Sequence, residues 1–144
     1  MNANFFDSNI LIYMFDETAP QKQAIAKDCV AHALITDNTV ISYQVVQETL
    51  NVITTKLQVR ATPAQVNAFL ADTLAPLWKI NPSVGLYQHG LKLQSRYQYR
   101  FYDSLIIAAA LEAGCRTLYS EDLQHGQTIE QLTIKNPFRE TQDG

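Results

Sequence analysis

Apolar residues along the chain fall into short clusters separated by longer stretches with helical spacing. Asn4–Phe6 reads as a short strand, and Ile10, Leu11, Met14 and Phe15 suit the helix that follows. Thr18-Ala19-Pro20-Gln21 has the form of a capping box with proline in the first turn, opening a helix to about Leu34. Thr39–Ser42 is β-branched and brief, and Ser42 then caps a helix whose apolar stripe is Val46, Leu50, Ile53 and Leu57. Thr62-Pro63-Ala64-Gln65 repeats the capping signal for a helix toward Leu74, with Pro76 as its expected end. Leu77–Ile80 reads as a strand, Asn81-Pro82-Ser83 as a turn and cap, and the next helix runs to about Tyr97.

The segment Asp103–Ala113 is apolar on nearly every side, which predicts a buried helix closed by Gly114. Arg116–Tyr119 is the next expected strand, Gly126 marks a turn, and Leu132–Ile134 is read as a last edge strand before a loose tail from about residue 136. No repeat and no linker interrupts residues 1–144, so one domain is expected. Strands alternating with helices imply an α/β fold with a largely parallel sheet, whose ligands gather beyond the carboxyl ends of the strands.

Composition narrows the class. Hydrophobic residues make up 47% and charged residues 17% of the 144, against roughly 25% charged in average soluble proteins. A disordered chain is therefore excluded. With 11 basic and 14 acidic residues the net charge is −3, which excludes a global basic coat but leaves room for a local basic patch. Cys29 and Cys115 are too few for a disulfide framework or a zinc site and read as buried free thiols. The first residues lack a signal-peptide layout, and the longest apolar run, Leu105–Leu111, is too short to span a bilayer. A cytoplasmic protein without a membrane segment is expected.

So few acids make their placement informative. Asp7 directly follows the first strand, and Asp122 lies just past Thr117-Leu118-Tyr119. Parallel strands put both at one edge of the sheet. Asp103 begins the buried helix, and Glu48 lies about 40° around its helix from Val52, at the margin of the apolar stripe. Each has an ordinary structural reading: Asp7 and Asp103 as helix caps, Asp122 in a turn, Glu48 as a solvated helical acid. Jointly they are like charges at one sheet end, costly unless a cation neutralises them. All-oxygen ligands select Mg²⁺ or Mn²⁺, and one such ion or a pair can activate water for in-line phosphoryl displacement.

These segments resemble the acidic motifs of PIN-domain ribonucleases. Asp7-Ser8-Asn9-Ile10-Leu11-Ile12-Tyr13 is similar to the first, and Glu48 within Val45-Val46-Gln47-Glu48-Thr49-Leu50-Asn51 to the second. Asp103 in Phe101-Tyr102-Asp103-Ser104-Leu105-Ile106 resembles the third, and Ser120-Glu121-Asp122-Leu123 the fourth. The four motifs span residues 7 to 122 in the family's order. Size and layout resemble the VapC-type toxins of bacterial toxin–antitoxin systems. The resemblance implies a three-layer α/β/α PIN-like domain with a mainly parallel sheet, and a Mg²⁺-dependent endoribonuclease (Mn²⁺ serving in its place) that is homodimeric and inhibited by a cognate antitoxin. It carries over Asp7, Glu48, Asp103 and Asp122 as catalytic metal ligands and Asn9 and Ser120 as supporting polar groups; the part of Glu121 stays open. A PIN nuclease of RNA processing, outside any toxin pair, and a non-catalytic RNA- or protein-binding module remain alternatives.

Arg96 and Arg100 interleave with Tyr97, Tyr99, Phe101 and Tyr102 just before Asp103, and are read as phosphate-binding residues for RNA. The aromatics are read mainly as core, Lys56 and Arg60 as solvated helix residues, and Trp78 as a packed strand residue. His32, His89 and His125 share no ligand spacing. Ser8 lacks the glycines of a nucleophile elbow, which argues against a serine hydrolase. Asn9, where a haloacid-dehalogenase phosphatase needs a second Asp, argues against that class; a receiver domain would need an acid pair near the first strand.

Overall fold

The computed structural model describes residues 3–139. β1 (Asn4–Phe6) leads through α1 (Ser8–Ile12), a 3₁₀ turn at Tyr13–Phe15 and α2 (Pro20–Thr36) to β2 (Thr39–Ser42). α3 (Tyr43–Thr55), α4 (Pro63–Phe69), a π turn at Leu70–Leu74 and the single turn α5 (Ala75–Leu77) then reach β3 (Trp78–Ile80). α6 (Val84–Tyr97) and α7 (Phe101–Glu112) return to β4 (Thr117–Tyr119), followed by β5 (Thr128–Ile129) and β6 (Leu132–Lys135).

The described residues form one six-stranded sheet in the order β3-β2-β1-β4-β6-β5, parallel throughout except for the β5–β6 hairpin. The connections step outward from β1 to β3, then jump back to β4. Right-handed crossovers in opposite directions place helices on both faces, giving the expected three-layer α/β/α arrangement. All four residues of β2 are buried, as the sequence Thr-Val-Ile-Ser requires of a strand covered on both sides. Every residue of α7 from Ser104 to Leu111 is buried, so α7 forms the centre of one helical layer. Gly90 of α6 permits its close approach: a Cβ there would stand 2.7 Å from Leu105 Cδ2.

The capping signals divide. At Thr62 both capping-box bonds form with Gln65, and Ser42 and Ser83 cap α3 and α6. Thr18 does not cap α2; its hydroxyl and amide both turn to Asp16, leaving Ala19 at the cap position. Pro76 does not end its helix. The π turn resets the hydrogen-bond ladder before it, so proline occupies a first turn where no donor is needed.

Leu132–Ile134 is not an edge strand, because β5 pairs outside it. Trp78 is not packed in the core. It lies on the edge strand β3, is 36% exposed and donates to Asn81 Oδ1 at 3.0 Å. Of the two thiols, Cys115 is buried but Cys29 only half-buried. The segment after residue 136 is anchored rather than loose as far as Phe138, which is fully buried against Tyr13 with ring centroids 4.8 Å apart. Residues 140–144 lie outside the described residues.

Candidate functional site

The topology creates a switch point between β1 and β4, where chain connections leave in opposite directions. Open α/β sheets bind ligands at such crevices. Asp7 and Ser120 are the first residues beyond these two strands. The Asp7 amide donates to Tyr119 C=O at 2.9 Å, which continues the β1–β4 pairing one step past the ladder.

Asp7 is 5% exposed and held from two sides. The Ser8 amide donates to its Oδ1 at 2.8 Å, so Asp7 caps α1. The Ser120 hydroxyl donates to Oδ2 at 2.7 Å and accepts from the Asp122 amide at 3.2 Å. Asn9, in the first turn of α1, grips the same loop: its Oδ1 accepts from the Glu121 amide, and its Nδ2 donates to Asp122 Oδ2, both at 3.2 Å. The spacing of Asn9 two residues after Asp7 thus becomes a clamp on residues 112 and 113 positions away. Glu121 is turned elsewhere, accepting from Lys22 Nζ at 2.6 Å and from the Tyr13 hydroxyl at 2.5 Å. Nothing local in the sequence pairs Lys22 with Glu121; only the fold does.

Glu48 comes from α3 and Asp103 from the first turn of α7, whose cap is Arg100. Both lie near enough to the other two acids for the charges to act on one another. Burial pushes the Asp7 carboxyl up to about 7, with the hydrogen bonds from Ser120 and Ser8 opposing and the charges of Glu48 and Asp122 adding. Burial also raises Glu48, opposed by hydrogen bonding from Gln44 and assisted by the charge of Asp103. Asp103 is raised by burial and by Asp122, and lowered by Arg100. Four carboxyl groups from four connections therefore share one electrostatic field, while Asp122 itself remains exposed.

Among the described residues no three His, Cys, Asp or Glu side chains form a ready-made metal cage. The donor set is nonetheless entirely oxygen, and Glu48 Oε1 is buried without a hydrogen-bond partner. Mutual repulsion plus an orphaned carboxylate oxygen is the condition that a hard divalent cation relieves, and Mg²⁺ retains waters that complete an open ligand set. The residues fit such an ion.

The arginines separate. Arg100 stands beside Asp103. Arg96 is exposed on α6, its guanidinium 5.4 Å from the Tyr97 ring centre, in a cleft with His89, Lys92 and Glu130. Among the described residues no contact brings it to Asp7, Glu48, Asp103 or Asp122. Tyr97, Tyr99 and Phe101 pack against the core as expected, but Tyr102 is 66% exposed.

Sequence comparison gives the family. The PIN domain profile matches residues 5–128, and the chain belongs to the PIN domain family. A search of curated protein sequences finds no match. Solved structures share the fold at low identity. A toxin–antitoxin complex from Klebsiella pneumoniae superposes with a TM-score of 0.67 at 19% identity, covering 94% of this chain and 98% of its counterpart. VapC20 of Mycobacterium tuberculosis, a toxin described as cleaving the sarcin–ricin loop, gives 0.61 at 15% identity over 83% of this chain and 90% of its own. VapBC2 from Rickettsia felis, bound to a DNA fragment from its promoter, gives 0.63 at 18% identity over 93% and 98%.

Proposed function

We propose that this chain is a metal-dependent endoribonuclease, the toxin of a bacterial toxin–antitoxin pair, homodimeric and acting in the cytoplasm. The observation that carries the reading is the convergence of Asp7, Glu48, Asp103 and Asp122 on the β1–β4 switch point, with Glu48 Oε1 left without a partner. PIN-family membership and the toxin–antitoxin systems among its structural neighbours support it.

Asp7, Glu48, Asp103 and Asp122 would hold Mg²⁺ or Mn²⁺. Such an ion would supply charge neutralisation and a more acidic water for attack at phosphorus. The chain's own residues prepare that site. Ser8 and Ser120 fix both oxygens of Asp7, so its carboxylate needs no reorganisation. Asn9 clamps Asp122 in register with Asp7. Arg100, at the mouth beside Asp103, offers a guanidinium to a phosphate oxygen. Arg96 contacts RNA farther from the scissile bond.

The test is cleavage of a mixed RNA pool by the purified protein with Mg²⁺, with EDTA, and with Asp103→Asn. Cleavage only by the wild type in Mg²⁺ is the expected result. Equal cleavage by Asp103→Asn, or in EDTA, refutes the assignment. Growth arrest on expression, relieved by the protein encoded beside it, would identify a toxin; cleavage without arrest would point to RNA processing.

A further inference from the structure

Next to the acids lies a second feature that the reaction does not use. A cleft opens between the start of α3, the end of β3, α6 and α7. We propose that it binds one unpaired nucleobase of the RNA, adjacent to the scissile phosphate; this rests on the nuclease reading and adds the subsite that confers sequence preference.

Its lining has the chemistry of a base and not of a phosphate. Among the described residues, none of the side chains that line it is charged. An anion or a peptide arginine would find no counter-charge there, whereas a neutral heterocycle needs none. Three tyrosine rings stand at its walls, with Tyr43 39%, Tyr87 43% and Tyr102 66% exposed. Exposed rings of this kind stack on unpaired bases. Two amide side chains in the same cleft, Gln47 and Asn81, offer donors and acceptors to a base edge. Asn81 is oriented by the Trp78 indole, which donates to its Oδ1 at 3.0 Å.

The cleft is continuous with the acidic site. Gln44 donates to the Tyr102 C=O at 3.1 Å and stands one helical turn before Glu48 on α3. Tyr102 immediately precedes Asp103 in the first turn of α7. A base seated between the tyrosines therefore has its own phosphate next to the carboxylates.

The experiment uses Asp7→Asn protein, so that bound RNA is not cut, and single-stranded RNAs carrying 2-aminopurine at each position in turn. Quenching at one position is expected. Adding Tyr102→Ala or Gln47→Ala should remove that quenching and weaken binding by about tenfold or more for the aromatic. Both side chains lie at the surface opening, and circular dichroism checks that the fold is kept. Cut-site mapping with Tyr102→Ala on the otherwise wild-type chain should show a relaxed base preference beside the cut. Unchanged affinity and unchanged quenching in both variants, or cleavage with the wild-type base preference, overturns the base subsite alone and leaves the cleft to a protein partner. A wild-type protein that neither binds nor cuts RNA overturns the nuclease reading itself.

Discussion

Replacing Asp7 by Asn should make the metal-free protein more stable at pH 8 than the wild type. The Asp7 carboxyl is buried, and its pKa stands at about 7 in place of the usual 3.8. An acid with a raised folded-state pKa binds more protons folded than unfolded, so stability falls as pH rises from about 4 through 7. Each pH unit is worth about 1.4 kcal/mol, so the whole interval costs the ionised form about 4 kcal/mol, of which about 3 falls between pH 5 and pH 8. Asn carries no charge and still accepts from the Ser8 amide, a favourable cap. It gives up the bond from the Ser120 hydroxyl to Oδ2 at 2.7 Å, a loss of about 1–2 kcal/mol. The variant should thus be near the wild type at pH 5 and more stable by roughly 2–3 kcal/mol at pH 8. Urea unfolding in EDTA at the two pH values reads this directly, as a midpoint difference of about 1–2 M at pH 8. A stability difference that does not change between pH 5 and pH 8 would refute the claim that the fold holds Asp7 desolvated among like charges. In Mg²⁺ the advantage should shrink, since a cation bound only by the folded wild type stabilises it.

Other parts of the structure make separate predictions. Phe138→Ala should cost about 3–5 kcal/mol, because its ring is fully buried against Tyr13; an unchanged melting curve would show that this segment adds nothing to the core. Gly90→Ala puts a methyl 2.7 Å from Leu105 Cδ2, so despite better helix propensity it should lower the melting temperature, with a net loss of about 1 kcal/mol. Lys22→Met removes the ammonium held at 2.6 Å by Glu121 and should cost about 1–2 kcal/mol; the same variant should lose RNA cleavage several-fold, as the loop carrying Asp122 loosens. Burial pushes the Cys115 thiol up to about 12, and burial raises the half-buried Cys29 as well. Thiol labelling of the native protein at pH 8 should therefore be slow and confined to Cys29, with Cys115 reacting only in urea.

Local signals determined most of the elements. The β-branched and aromatic strands, the serine caps at Ser42 and Ser83, the capping box at Thr62 and the helix stop at Gly114 all act within a few residues of themselves. The all-apolar segment after Asp103 announced its burial because a helix without a polar face must be enclosed. Asp7, Asp103 and Asp122 drew notice because they stand at strand or helix ends, which a parallel sheet gathers on one edge; Glu48 lies mid-helix and was picked out by its place at the margin of the apolar stripe. Where competing local bonds existed, the sequence misled: Thr18 chose Asp16, and the π turn moved the helical register past Pro76. Strand order lay beyond any local signal. It depends on which apolar faces bury best together, and it put β5 outside β6 and Trp78 on an exposed edge. The same holds for the contacts that span the chain. Ser120 on Asp7, Asn9 on Asp122 and Lys22 on Glu121 join residues about 100 positions apart. Residue types made these bonds available, but only the packing of β1 beside β4 brought the partners within reach and removed the water that would have competed for them.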